Sequence, residues 1–181
     1  MKARFVTKAA LSALALAFAG TLPGVAQQTA APAVDSVKAS AVEKVFIVKM
    51  ADIVQAGLKA GALDVKAVSG VLNEAVKADV SDRVMGAMVS MAAGAFPSSA
   101  PAVASAAVRS YGSNIREGHV RNVIASAVSS QSNPYASVAP ISEAVEKVLG
   151  NSPVAAAVSS IAVDVAAQTP DNPLSGETVQ G

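Results

Sequence analysis

Apolar residues recur every three or four positions in seven consecutive segments between residues 40 and 169, with Ser, Asp or Asn before the segments and Gly, Pro or Asn after them. This spacing is the period of an amphipathic α-helix, and the flanking residues are those that begin and end helices. No stretch alternates apolar and polar residues for long enough to form a half-buried strand, and the alanine content lowers strand propensity further. The pattern predicts an all-α fold of about seven short antiparallel helices.

The first two helices have clear predicted boundaries. Ser40 and Glu43 have the spacing of a capping box, in which each side chain bonds the backbone of the other residue. Gly61 can adopt the left-handed conformation that ends a helix. Asp64 caps the second helix, which we expect to end near Asp79.

Similar caps and stops divide the remaining segments. The third helix is predicted from Ser81 to Phe96-Pro97, the fourth from Ser98 or Ser99 to Gly112, the fifth from the cap Asn114 with Glu117, the sixth from Asn133-Pro134 to Gly150, and the seventh from Ser152-Pro153 to Thr169.

The spacing of these caps suggests a repeat. Successive caps from Asp64 to Ser152 are 15 to 19 residues apart, so a pair of helices occupies 33 to 38 residues, the size of an α-solenoid repeat. Residues 96–101 and 135–140 also share an aromatic-x-Ser-x-Ala-Pro pattern. A compact bundle of antiparallel helical hairpins explains the same spacings. The sequence therefore predicts stacked hairpins that form either an α-solenoid-like repeat or a compact helical bundle.

The N-terminus has the pattern of a secretory signal peptide. Basic residues from Lys2 to Lys8 precede an apolar run from Ala9 to Leu22, and small residues precede Ala26. The run ends at Pro23, short of the roughly 20 residues that cross a bilayer, which disfavours an uncleaved anchor. We expect residues 1–26 to be cleaved and the protein to be exported.

The other predicted regions follow from this cleavage. Residues 27–39 lack periodicity and are expected to form a flexible lead-in, residues 40–169 a single helical domain, and residues 170–181 a disordered tail. The chain has no Cys, so an exported form must be held together by packing rather than by disulfides. The short Ala- and Leu-rich run, the lack of Cys and the lack of glycosylation sequons favour a bacterial periplasmic or extracellular location.

Charge argues against a nucleic-acid partner. The chain has 14 basic and 13 acidic residues, and loss of the first 26 residues would leave 11 basic and 13 acidic ones. Nucleic-acid binding depends on dense Lys and Arg side chains that displace counterions from phosphates.

Residue sets typical of an active site or a metal site are missing from the sequence. His119 is the only histidine, and without Cys or a serine nucleophile motif it has no group to activate and too few partners to bind zinc. We interpret it as a surface residue near a helix start. Glu143 with Lys147 and Glu117 with Arg121 have the spacing of solvated helix ion pairs. We therefore expect no enzymatic activity, no cofactor and no bound metal.

A methionine stripe on the third helix allows two interpretations. Met85, Met88 and Met91 could form an adaptable groove for a partner, because thioethers are polarizable and flexible. A core stripe is favoured, since Val84, Met88, Met91 and Ala95 already define the buried face of this helix.

The connection between the fourth and fifth helices is the predicted contact surface. Arg and Tyr are enriched where proteins meet proteins, and the candidate binding residues here are Arg109, Tyr111, Arg116, His119 and Arg121. A solvated turn with caps and ion pairs is the alternative. The expected function is that of an exported, non-enzymatic helical-repeat protein that interacts with another protein of the cell envelope or extracellular space, or has a structural role there. A peripheral membrane-associated or membrane-active helical protein is the alternative, because small-residue helices also pack against lipid.

Overall fold

The computed structural model describes residues 40–169, in which the chain forms seven α-helices and no strand. The helices are α1 (Ala41–Ala60), α2 (Val65–Lys77), α3 (Asp82–Ala95), α4 (Ala100–Tyr111), α5 (Glu117–Ser129), α6 (Pro134–Leu149) and α7 (Val158–Ala167). The all-α prediction is confirmed. The predicted signal peptide 1–26, lead-in 27–39 and tail 170–181 lie outside the described residues.

The helices pack in two layers, one formed by α1, α3, α5 and α7 and the other by α2, α4 and α6. The most extensive contacts within the described residues join α4 to α6, α3 to α5 and α2 to α4, so each helix lies against the next-but-one helix of its own layer. Consecutive helices also pack across the layers. Within the described residues, α1 and α7 share no contact of comparable extent.

Contacts within a layer join residues about one helical pair apart in sequence. The Ser105 hydroxyl donates to the Ala144 carbonyl, 39 residues away, at 3.0 Å. The Ser81 hydroxyl donates to Glu43 Oε1, 38 residues away, at 2.5 Å. These separations lie close to the 33 to 38 residues expected from the caps. The structure therefore has the repeat geometry that the cap spacing indicated.

The strongest predicted caps are present. The Ser40 hydroxyl accepts from the Glu43 backbone at 3.2 Å, and Glu43 Oε2 accepts from the Ser40 backbone at 2.8 Å. Gly61 ends α1 in the left-handed conformation, with φ 75° and ψ 6°. Asp64 Oδ1 accepts from the Ala67 backbone N–H at 2.9 Å. Local cap chemistry was sufficient to place these ends because each bond joins residues three apart in sequence.

The predicted starts of the fifth and seventh helices are wrong. Asn114 belongs to a 3-10 turn, Gly112–Asn114, and the N-cap of α5 is Arg116, whose backbone N–H donates to His119 Nδ1 at 3.3 Å. The imidazole, at the third helical position, takes the role expected of a carboxylate. The segment after Ser152 forms successive turns and the 3-10 turn Ala155–Ala157 before α7 begins at Val158.

The hydrophobic core lies between the two layers and contains part of the methionine stripe. Met85 and Met88 are fully buried, and Met91 is half-buried. The largest fully buried side chains also include Leu72, Ile124 and Ile141. The core interpretation of the stripe is confirmed for Met85 and Met88, because both lie among packed apolar side chains and are not available to a partner.

Helices α3 and α5 approach closely through small residues. A Cβ atom added to Gly86 would lie 2.7 Å from Ser126 Oγ, and one added to Gly94 would lie 3.2 Å from the Ser130 carbonyl oxygen. Between these two contacts, the Ser90 hydroxyl donates to the Ser126 carbonyl at 2.9 Å. Residues one helical turn apart on α3 therefore face α5 in register, and the lack of a side chain at Gly86 and Gly94 permits the short separation.

The length and polarity of the helices bear on membrane insertion. Among residues 40–169, no helix combines the length and the hydropathy required to cross a bilayer.

Candidate functional site

The connection from α4 to α5 brings together two of the five predicted site residues, Tyr111 and His119. Tyr111 is the last residue of α4, and His119 lies in the first turn of α5. Their rings stack with centroids 4.1 Å apart and an angle of 10° between the planes. The Tyr111 residue is 8% exposed. His119 lies near a helix start as expected, but it is only partly at the surface, since 18% of its side chain is exposed and its ring covers the buried tyrosine.

A third residue, Asp82 of α3, completes this cluster. The Tyr111 hydroxyl donates to Asp82 Oδ1 at 3.1 Å, and His119 Nε2 lies 3.7 Å from the same oxygen. Asn122 Nδ2 donates to the Asp82 backbone carbonyl at 2.7 Å. Asp82 is the first residue of α3. The packing of α3 against α4 and α5 gives it this role, and the cluster links three helices.

The chemistry of this cluster is that of a structural link. Burial raises the pKa of the Tyr111 phenol above its ordinary value, and the neighbouring Asp82 carboxylate raises it further. The phenol therefore remains protonated and acts as a hydrogen-bond donor at neutral pH. His119 uses Nδ1 to accept from the Arg116 backbone. Both side chains hold the α4–α5 connection in place through these contacts.

The two arginines nearest to His119 differ in their environment. Arg121 Nη2 donates to Asp164 Oδ2 of α7 at 2.8 Å, with both side chains about half exposed. The predicted Glu117–Arg121 ion pair is therefore wrong, because the contact between α5 and α7 supplies a nearer carboxylate. The Glu143–Lys147 ion pair is also absent from residues 40–169. Arg116 is exposed, and its backbone caps α5.

Arg109 occupies a different surface from the Tyr111 cluster. It is exposed near the C-terminal end of α4 and lines two clefts. Two residues along an α-helix differ by about 200° in direction, so Arg109 and Tyr111 point to opposite sides of α4. The five predicted residues therefore do not form one surface.

The larger cleft, of about 640 Å³, lies beside the C-terminal ends of α4 and α6. Its lining includes Val108 and Arg109 of α4, Val148 and Leu149 of α6, and Val154 from the turns before α7. The ends of α4 and α6 have similar conformations, because Gly112 and Gly150 both have positive φ, 52° and 53°. These conformations strongly favour glycine, and residues that follow both glycines, Ser113 and Ser152, line the cleft.

The second cleft, of about 500 Å³, is a surface groove along the packed pair α2 and α4. Val65, Lys66 and Ser69 of α2 line one side, and Ala102 and Arg109 of α4 line the other. The two clefts thus lie on either side of α4 and meet at Arg109. The cap spacing could have predicted the position of the larger cleft, since a repeat of this length places the C-terminal ends of α4 and α6 side by side.

Other groups in residues 40–169 add no further reactive site. No group of three or more His, Cys, Asp or Glu side chains within this range is placed to hold a metal ion. An apolar groove of about 380 Å³ lies between α6 and α7, with Tyr135 and Val163 on its rim. Comparison of the chain with protein-family models, curated proteins and solved structures finds no match.

Proposed function

We propose that this chain is an exported, non-enzymatic helical-repeat protein of the bacterial periplasm or extracellular space that binds another protein. The observation that carries the proposal is the pair of clefts, about 640 and 500 Å³, that meet at the exposed Arg109 on the face of the α2, α4 and α6 layer. Repeat proteins commonly bind partners along the extended surface that one layer of helices presents.

The electrostatic state of Arg109 supports this role. Within the described residues its guanidinium has no hydrogen bond or ion pair, whereas the guanidinium of Arg121 pairs with Asp164. An exposed arginine between two clefts presents five N–H donors to a partner. Arginine is also enriched among the residues that contribute most to protein interfaces.

The contacts of His119 support a non-enzymatic role. Its ring stacks on Tyr111, and its Nδ1 accepts a backbone hydrogen bond. A general base needs a free nitrogen within reach of a nucleophile or water. Here one nitrogen caps a helix and the other lies beside Asp82.

Photo-crosslinking from defined positions tests the binding role. Benzoylphenylalanine would replace Ala102 in the smaller cleft or Ser113 in the larger one, and the exposed Ala87 of the opposite layer is the matched control. The full-length chain would be expressed in its native host and irradiated. We expect the same protein adduct from both cleft positions and no such adduct from the control. An identical adduct from Ala87, or none from either cleft, contradicts the proposal.

Export is tested separately by sequencing the N-terminus of the protein recovered outside the cytoplasm. The signal-peptide pattern predicts a mature chain that begins at Gln27. Retention of the whole protein in the cytoplasm with Met1 intact would contradict export and leave the crosslinking result unaffected.

Peripheral membrane association is the second candidate, and the outer side of α1 supports it. Val42, Val45 and Val48 are 54%, 52% and 58% exposed. Apolar side chains on the outer face of a helix can enter the headgroup region of a bilayer. Co-sedimentation with phosphatidylglycerol vesicles, compared between the native chain and a Val42→Ser, Val45→Ser, Val48→Ser variant, tests it. Equal sedimentation of the two proteins argues against lipid binding through α1.

A further inference from the structure

We infer that the two clefts beside α4 bind an extended acidic segment of the partner, with a carboxylate of that segment paired to Arg109. This inference rests on the proposed function and specifies the chemistry of the partner. Three features support it, namely the charge of the clefts, their shape, and the unpaired state of the Arg109 guanidinium within the described residues.

The charge of the clefts is positive. Arg109 and Lys66 are the charged residues of their linings, and no carboxylate lines either cleft in the part of the chain that the structure describes. Lys66 also has no ion pair among residues 40–169. The planar guanidinium matches a carboxylate with two parallel hydrogen bonds, and this charge-assisted geometry is stronger than a neutral hydrogen bond. A carboxylate placed between the clefts would therefore complement both the charge and the donor geometry of Arg109.

The shape of the clefts favours an extended chain over a compact small molecule. Both clefts are open, and α4 separates them, so an occupant must cross this helix at Arg109. Neighbouring helices are about 8–10 Å apart. An extended peptide rises about 3.3 Å per residue, so three or four residues span the distance from one cleft to the other.

The lining predicts a pattern in the bound segment. Val148, Leu149 and Val154 give the larger cleft an apolar lining, and Ser69 gives the smaller cleft a hydroxyl beside Lys66. An apolar side chain about two residues from the acidic one would enter the larger cleft. The near-neutral charge of the chain, 14 basic against 13 acidic residues, disfavours a nucleic acid as the source of the anion.

Fluorescence anisotropy with synthetic peptides tests the inference. The probe is a labelled nine-residue alanine-based peptide with a central glutamate and a leucine two residues to either side, and its matched partner carries glutamine in place of the glutamate. We expect the glutamate peptide to bind at least about tenfold more tightly, the difference made by one charge-assisted hydrogen-bonded pair.

Two protein variants assign the effect to Arg109. Arg109→Gln should weaken binding of the glutamate peptide about tenfold and leave the glutamine peptide unchanged, while Arg121→Gln should change neither. Lys66→Gln should also weaken binding of the glutamate peptide, by a smaller factor than Arg109→Gln. Melting temperatures should be measured alongside. Arg109→Gln and Lys66→Gln should leave the melting temperature unchanged because both side chains are exposed, and Arg121→Gln should lower it only slightly because its pair with Asp164 is half exposed.

Three outcomes overturn the inference. The first is equal affinity for the two peptides. The second is an equal loss of affinity for the glutamate peptide in Arg109→Gln and Arg121→Gln. The third is displacement of the labelled peptide more effectively by a single-stranded oligonucleotide than by unlabelled glutamate peptide. If the cleft positions crosslink a partner while the glutamate peptide does not bind, the proposed binding function stands and the acidic-segment inference fails. If neither occurs, both fail.

Discussion

The imidazole of His119 lies flat on the phenol ring of Tyr111, with ring centroids 4.1 Å apart and an interplanar angle of 10°. The two residues come from consecutive helices, and both approach the same carboxylate oxygen of Asp82 on a third helix. This contact joins the ends of α4 and α5 to α3, although residues 112–114 and 116–118 between them are exposed. The role of His119 is therefore structural, and its replacement should lower stability.

We expect His119→Ala to lower the free energy of unfolding by about 1–2 kcal/mol. It removes an aromatic stack worth about 0.5–1.5 kcal/mol and the acceptor that caps the start of α5. Thermal unfolding followed by circular dichroism measures the loss. Arg116→Ala is the control, because its side chain is exposed and its backbone N–H is retained. A melting temperature unchanged in His119→Ala would show that the stack contributes nothing.

Tyr111→Phe isolates the hydroxyl group from the ring. The variant retains the stacked ring and loses the 3.1 Å hydrogen bond to Asp82. We expect the free energy of unfolding to fall by about 0.5–1.5 kcal/mol. The loss is no larger because water can replace the hydroxyl as a donor to the partly exposed carboxylate. Chemical denaturation gives the value. Tyr111→Ala should cost considerably more, and similar values for the two variants would contradict the assigned role of the ring.

Stability should fall in acid because of Glu43. Its carboxylate accepts from the Ser81 hydroxyl and from the backbones of Ser40 and Ser81, and these bonds lower its pKa from the ordinary 4.5 to about 2. A lowered folded-state pKa means that this contribution is fully present above pH 4.5 and is lost as the pH falls towards 2.

Melting temperatures of the native chain and Glu43→Gln between pH 7 and pH 2 measure this effect. The native chain should be the more stable protein at neutral pH, and the difference should shrink below pH 4.5. A difference that stays constant over the whole range would exclude Glu43 as a source of the acid sensitivity.

Glycines in α2 and α3 should respond in opposite directions to alanine. Gly70 lies inside α2 with no atom within 4 Å of an added Cβ, so Gly70→Ala should stabilise the protein by about 0.5–1 kcal/mol through helix propensity. At Gly86 the added carbon would lie 2.7 Å from Ser126 Oγ and 2.9 Å from Asn122 Oδ1. Both side-chain ends must move, and Asn122 also donates to the Asp82 carbonyl, so Gly86→Ala should cost about 1 kcal/mol. Stabilisation by both changes would contradict close packing of α3 on α5.

Two buried serines of adjacent helices give a further matched pair. Ser142 in α6 is 7% exposed, and its hydroxyl has no hydrogen-bond partner in residues 40–169, whereas the Ser105 hydroxyl bonds the Ala144 carbonyl. Ser142→Ala should stabilise the protein by about 0.5–2 kcal/mol, because it removes an unsatisfied polar group and improves helix propensity.

Ser105→Ala improves propensity equally but loses a bond between α4 and α6, so the melting temperature should fall slightly. Differential scanning calorimetry of both variants makes the comparison. A lower melting temperature for Ser142→Ala than for Ser105→Ala would contradict the assigned hydrogen bonds.

The sequence by itself determined the helices and several of their ends. The 3.6-residue period gave the all-α fold, and the caps at Ser40, Asp64 and Gly61 lie where their spacing indicated. These features depend on interactions between residues three or four apart in sequence, which one short segment contains completely. The cap spacing also indicated the length of the repeat.

Only the tertiary structure decided which side chains meet. Tyr111, His119 and Asp82 join because three helices pack around them, and Arg121 pairs with Asp164, which is 43 residues away. The same packing separated Arg109 from its neighbours in sequence and placed it between two clefts. Such contacts depend on the order of the helices in each layer and on the rotation of each helix about its axis. A side chain can therefore bond a residue that packing brings close, rather than one three or four positions away on its own helix.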